Sequence, residues 1–462
     1  MTDSAASNKI IVLIVATVAA FLTPFMSSSV NIALPSIGKE FGMTAVALGW
    51  VATSYLLTTA MFLVPFGKAA DIYGRKKVFG WGALIYTVAS VLSTASHSTA
   101  FLIGSRVLQG IGGSMFYTTG VAILTSAYPP GERGRVLGIN VSSTYIGLSL
   151  GPVLGGFLTQ HLGWRSIFWF HGILGAALVV LVFWMLRGEW AEAKGEAFDM
   201  TGSVILGLTL VAVMFGFSIL PRILGGGLIA AGLAGAFVFV RWELKTEAPV
   251  LNMNLVRRNT VFAFSNLAAL INYSATFAVG FLMSLYLQYL KGLSPQKAGL
   301  ILIAQPVVMA LFSPLAGKLS DRIEPQRIAS VGMGFCAAGL FLLSFVGRQT
   351  ALVYVGAALV VLGFGFALFS SPNTNAVMSS VDKRYYGVAS AMLGTMRMTG
   401  QMLSMGVAML IFAVYIGRVR IMPSNYPQFL AALRIAFLFF TALCAGGIFA
   451  SLARGRLRSD SN

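Results

Sequence analysis

Two arginines stand where charge is expensive. Arg106 and Arg397 lie inside long, otherwise uncharged apolar runs, and an ionised side chain at membrane depth faces a cavity, a partner or backbone carbonyls. Gln109 follows Arg106 by nearly one helical turn and shares its face. A second charged set runs from Gly67 through Lys68, Asp71, Gly74 and Arg75 to Lys77, with a carboxylate and a guanidinium at i and i+4, a pairing the planar guanidinium fork favours. Such groups can bind anions, latch and unlatch, or take part in moving a proton. Covalent chemistry is not indicated. No nucleophile–base pair, paired carboxylates or metal-spaced His/Cys set lies in or near an apolar run, so the residues argue against an enzyme and imply neither metal nor cofactor.

The elements that must position these groups are membrane helices. Of the 462 residues 57% are hydrophobic and 10% charged, and the 14 acidic residues all fall outside the apolar runs. A span needs roughly 20 apolar residues, and that ruler predicts fourteen between about residue 10 and about residue 452. The first run lacks a small-residue cleavage pattern and is read as a retained span. The net charge of +18 does not imply a nucleic-acid partner, because the basic residues are scattered through short loops and not clustered with aromatics. Cys336 and Cys444 lie in apolar runs, as small core residues do, and imply no disulfide framework. An even span count puts both termini on one side. Most of the Lys and Arg fall in loops on that side, among them Lys9, Arg75 to Lys77, Arg133, Arg135, Lys383, Arg384, Arg454, Arg456 and Arg458, so both termini of a multi-pass protein of the cell membrane, an inner membrane, are predicted cytoplasmic.

Two further patterns organise the chain. Gly147, Gly151 and Gly155 recur every fourth residue beside Gly138, Pro152 and Gly156. They line one helix face that permits close backbone approach, with a bend at the proline, either as a hinge or as plain small-residue packing. The Gly67–Asp71 element returns as Gly317, Lys318, Asp321 and Arg322, which is the mark of two repeated halves. The interval holds more than six spans, so two are inserted: 201 to 220 and 223 to 240. The expected organisation is a six-helix bundle over 1–190, an inserted pair with cytoplasmic linkers over 191–257, and a second six-helix bundle over 258–462, with the pair at the periphery.

Taken together these motifs resemble the major facilitator superfamily, in its fourteen-span drug:proton antiporter branch (QacA/EmrB-like). Residues 67–77 resemble the loop signature after the second span, Leu102 to Gly112 the fourth-span signature, and the glycine set the fifth-span signature associated with exporters. Arg397, Gly400 and Gln401 resemble a recurrent element of the branch. The resemblance implies alternating access of two bundles about a central cavity, with gating by Asp71, Gly74, Arg75, Asp321 and Arg322. It implies proton coupling at Arg106, Gln109 and Asp71. The Asp71–Arg75 pair is read either as a gate latch or as a fixed topology anchor, and Arg106 either as a coupling residue or as a tie between spans.

The chain departs from the branch in its first span. Antiporters for cationic drugs carry a carboxylate just before an Asn-x-Ala-Leu-Pro element; here Met26 precedes Asn31 to Pro35, and no other span supplies an acid. Two arginines without a countercharge disfavour a dication and favour lipophilic, neutral or weakly acidic substrates. The expected cavity lining is Asn31, Tyr55, Arg106, Tyr145, Asn272, Gln305, Asn373, Arg397 and Gln401. His171 is read as a packing residue before a titrating one. The leading expectation is a multidrug efflux exporter whose partners are lipophilic small molecules, protons and the lipid bilayer, on a plan that a monomer can carry out. The alternative is an exporter or carrier of a specific organic anion, fatty acid or lipid.

Overall fold

The computed structural model describes residues 2–247, 249–251, 253–381 and 386–455, and every regular element in them is helical. The expected loop cations Lys383, Arg384, Arg456 and Arg458 lie outside the described residues. In chain order the helices are α1 (Thr2–Phe41), α2 (Ala45–Tyr73), α3 (Arg75–Thr94), α4 (Thr99–Ala127), α5 (Pro130–Leu162), α6 (Arg165–Val180), α7 (Met200–Ile219) and α8 (Ile223–Glu243). A short α9 (Met253–Arg258) leads into α10 (Thr260–Thr276), α11 (Ala278–Leu285), α12 (Pro295–Leu302), α13 (Ala304–Ser320), α14 (Pro325–Leu343), α15 (Leu352–Ser379), α16 (Tyr386–Tyr415) and α17 (Tyr426–Ala453). Apolar runs fold this way because a helix satisfies its backbone within itself, which a bilayer demands. Polar side chains start them: Thr44, Ser98, Asp199 and Asn259 each accept an N–H of the first turn.

Thirteen stretches are long and apolar enough to cross a membrane, where the sequence predicts fourteen. The one missing is α3, whose charged first turn and interspersed Gly, Ser and Thr lower its hydropathy.

The helices α1 to α6 pack among themselves, as do α10 to α17, and α7 and α8 form a hairpin. From that hairpin α7 lies against α2 of the first half and α16 of the second, while most of α8 faces outward. The last turn of α7 touches both halves at one residue: Trp50 donates to the Ser218 hydroxyl at 3.1 Å and Arg418 to the Ser218 carbonyl at 2.8 Å.

Along α5 the four-residue glycine period faces α1. A Cβ on Gly147 would stand 2.6 Å from the Phe21 carbonyl oxygen and one on Gly155 2.7 Å from the Ser29 Cα, while one on Gly151 would strike the Ser28 hydroxyl. Gly138 differs, with open space where its Cβ would be, so close approach does not account for it. Gly156 turns to the other half, where its Cβ would meet the Pro295 carbonyl at 2.6 Å; reciprocally, Gly299 of α12 abuts the Pro152 carbonyl.

Candidate functional site

Contacts between the halves gather at the ends of the helices farthest from the chain termini. There Ser284 donates to the Asn31 carbonyl at 2.6 Å and Gln288 to that of Ile32 at 2.8 Å. Arg420 donates to the Gly42 carbonyl at 2.8 Å, and the Ala45 N–H to that of Val419 at 3.0 Å. Gly42, at φ 62, suits this turn because a side chain there would collide with Arg420.

Nearer mid-depth, Arg397 projects from α16 toward the first half. It is partly exposed, its Nη2 donates to the Thr374 hydroxyl at 2.7 Å, its Cζ lies 5.6 Å from the centre of the Tyr273 ring, and its Nε is buried without a partner. Tyr117 of α4 and Tyr145 of α5 stand beside it from the other half, Tyr145 close to Ser313 and Ser370. A guanidinium ringed by three phenols, with donor capacity unspent, can receive an acceptor oxygen on an otherwise apolar or aromatic molecule.

Arg106 is arranged differently. It is 1% exposed, and two of its nitrogens donate inside the first half: Nε to the Val51 carbonyl at 3.1 Å and Nη1 to Gln109, whose amide donates to Ser90 at 2.7 Å. The Tyr55 ring lies 4.5 Å from its Cζ. His171 is buried nearby with Nδ1 on its own helix's Ile167 carbonyl at 2.8 Å and Phe25 against its ring. Thus Arg106 and Tyr55 sit behind the face between the halves and not on it.

The other expected lining residues are dispersed. Asn31 lies at the contact end just described. Asn272 is buried within the second half near Cys444. Asn373 is 2% exposed and holds Arg454, accepting its Nη1 at 2.9 Å while donating to the Ser265 carbonyl at 3.1 Å. Gln305 and Gln401 are half-buried on α13 and α16.

At the terminal end of the first half, residues 67–77, expected as a loop, are the end of α2 and the start of α3 broken only at Gly74, and this junction is clasped by the segment after α6. Asp71 accepts Arg75 Nε at 2.8 Å; Arg75 Nη1 reaches Glu192 at 2.8 Å and Ser126 at 2.6 Å. The Arg75 N–H donates to the Trp190 carbonyl at 2.8 Å, and Ala193 N–H returns to that of Asp71 at 2.9 Å. Glu189 accepts the Lys76 N–H at 2.8 Å and packs where Gly74, at φ 115, would carry a side chain, so glycine is required there. Lys68 pairs with Glu196. Burial pushes the Glu192 carboxyl up, but the bonds and charge of Arg75, with Ser126 and Arg133, outweigh it and hold it below the usual value. In the second copy, Asp321 accepts from Asn375 at 3.3 Å, and Arg322 follows it at the close of α13.

Sequence reasoning does not single out Glu189, Glu192 or Glu196. Their signal is compositional: with Asp199 they are four acids within a short stretch of a chain that has 14 in all. It also places Glu243 in a loop and finds no paired carboxylates near a span. The structure corrects both readings: Glu243 ends α8, is 1% exposed, and faces Asp199. Helix continuation beyond the apolar run, through Arg241 and Trp242, is the reason.

Comparison with known proteins agrees with this architecture. The sequence profile of the Major Facilitator Superfamily matches residues 16–405. The chain is 30% identical to the riboflavin transporter RibZ of Clostridioides difficile, over 84% of this chain and 85% of that protein. It is 29% identical to the multidrug resistance protein Stp of Mycobacterium tuberculosis, over 84% and 73%. In structure it is similar to a bacterial homolog of the human lysosomal transporter Spinster, with TM-score 0.69 at 17% identity over 97% of each chain.

Proposed function

The chain belongs to the Major Facilitator Superfamily, and on that premise we propose that it is a proton-coupled exporter of lipophilic, neutral or weakly acidic compounds. It works by alternating access on the fourteen-span drug:proton antiporter plan, with α3 as the remaining span and both termini cytoplasmic. The observation that carries the substrate reading is Arg397, partly exposed between the halves with an unpartnered Nε and tyrosines from both sides. In a low-dielectric cleft that charge favours an acceptor oxygen or a carboxylate and disfavours a dication. The bundles 1–190 and 258–462 rock about the contact of α5 with α12, where Gly156 and Gly299 bring main chain against main chain, while Gly147, Gly151 and Gly155 hold α5 to α1 within the first bundle. Asp71 and Arg75 serve as the latch at the α2–α3 junction, paired when the cytoplasmic side is closed and parted when it opens.

A second reading is a carrier for one specific solute, an organic anion, fatty acid, lipid or heteroaromatic compound. The likeness to a riboflavin transporter favours it, since phenols gathered about a guanidinium with an unpartnered nitrogen suit a planar ring with carbonyl oxygens. Both readings are tested on purified protein in liposomes with a trapped pH dye and a matched pair of cationic and anionic lipophiles. Tighter binding of the anion, with proton movement that follows its addition, is expected. Tighter binding of the cation would overturn the electrostatic reading, and substrate movement without proton flux would overturn coupling.

A further inference from the structure

The base of the inserted hairpin holds two carboxyl groups that no part of the export reading uses. Asp199 precedes α7 and Glu243 ends α8, so the pair joins the entrance and exit of the insertion. Both are buried, at 9% and 1% exposure. Asp199 accepts from two donors: Oδ1 takes the Gly202 N–H at 2.8 Å, and its two oxygens take the Trp242 indole N–H at 3.2 and 2.9 Å, which leaves Oδ2 room for one more bond. Glu243 is asymmetric. Its Oε2 accepts the Leu251 N–H at 2.7 Å, whereas Oε1 has no partner. That free oxygen and Asp199 Oδ2 converge on Gly202: a Cβ there would lie 2.6 Å from Glu243 Oε1 and would also strike Oδ2.

We propose that Glu243 binds a proton on Oε1 and shares it with Asp199 Oδ2 across Gly202, making the foot of the hairpin a proton-binding site. Two adjacent buried carboxylates cannot both hold charge cheaply, and one proton converts their repulsion into a hydrogen bond. Of the charged groups on elements packed here, Asp199 is the one that faces Glu243. Arg241, Lys245, Glu247, Arg257 and Arg258, on the end of α8, the turn after it and α9, are all exposed. Gly202 is the residue that leaves room for the shared proton. Release of that proton would leave two like charges pressing apart the strands of chain that enter and leave the insertion, so the hairpin's seating becomes dependent on pH. The site stands whether or not export is proton-coupled.

Infrared titration of the purified full-length protein, in wild type and in Glu243→Gln and Asp199→Asn, tests it. The wild type should show the carbonyl stretch of a protonated carboxylic acid at neutral pH, sensitive to deuterium exchange. That band should be lost in Glu243→Gln, which keeps the shape and the Leu251 contact. In Asp199→Asn the neighbour's charge is gone, so the band should disappear at lower pH than in wild type. Absence of the band in wild type, or its persistence unchanged in Glu243→Gln, overturns the proposal. So does a band in Asp199→Asn that titrates as in wild type.

Discussion

Arg106 and Arg397 carry the same charge into the two halves, and their surroundings make them different kinds of residue. Arg106 is enclosed, with Nε and Nη1 committed to a neighbouring helix's carbonyl and to Gln109. Arg397 keeps one nitrogen idle and turns toward the opposite half. The first guanidinium is a fixture of its bundle; the second is available to something that arrives. A buried arginine is therefore classified by its unspent donors, which no motif records.

The largest effect expected from breaking this comparison is at Arg106. Arg106→Ala removes the donors to the Val51 carbonyl and to the Gln109 side-chain oxygen, and each lost charge-assisted bond is worth ~1.5–3 kcal/mol. The variant should melt several degrees lower in detergent and lose export. Arg106→Lys should not rescue it, since one ammonium cannot reproduce the fork. A wild-type melting curve for Arg106→Ala would erase the distinction.

A smaller, sharper effect belongs to Arg397. Arg397→Ala should leave melting nearly unchanged while weakening binding of an anionic lipophile about tenfold, ~1.4 kcal/mol, with little loss for a neutral one. Equal losses for both would mean that Arg397 acts through packing.

Least dramatic are changes in the clasp on residues 67–77. Asp71→Asn should fold and insert but cycle more slowly, measured as turnover at matched protein level; unchanged turnover would leave Asp71 a topology anchor. Glu192 is held below the usual carboxylate value, so its contribution is intact above that value and is lost as pH falls through its lowered pKa. From about pH 6 upward, above the ordinary carboxylate value, Glu192→Gln should therefore differ from wild type by a constant amount, and the two should converge in acid. Its carboxylate is 64% exposed, so the difference should be small.

How much of this was legible beforehand depended on sequence distance. The α5 glycines show their shared face at a fixed four-residue step, and the structure puts Gly147, Gly151 and Gly155 against α1 as that step requires. Membership in a transporter fold followed from apolar length and local motifs. Pairings across the chain did not. Asn373 looks like a cavity amide until Arg454 is found in its grasp, and Glu192 looks like a loop charge until it meets Arg75. Glu243 was hidden by a boundary: the apolar run ends before the helix does. Arg106 and Arg397 read alike because what separates them is the orientation of helices, which residue type does not encode.

The reciprocal approach of Gly156 to the Pro295 carbonyl and of Gly299 to that of Pro152 bears on insulation. A barrier made of side chains can fluctuate, because rotamers swing aside and admit a file of water. One made of main chain against main chain has nothing to swing, so ions and water pass only when whole helices separate. At rest, such a molecule should be electrically quiet, leaking little of the membrane's stored gradient between turnovers.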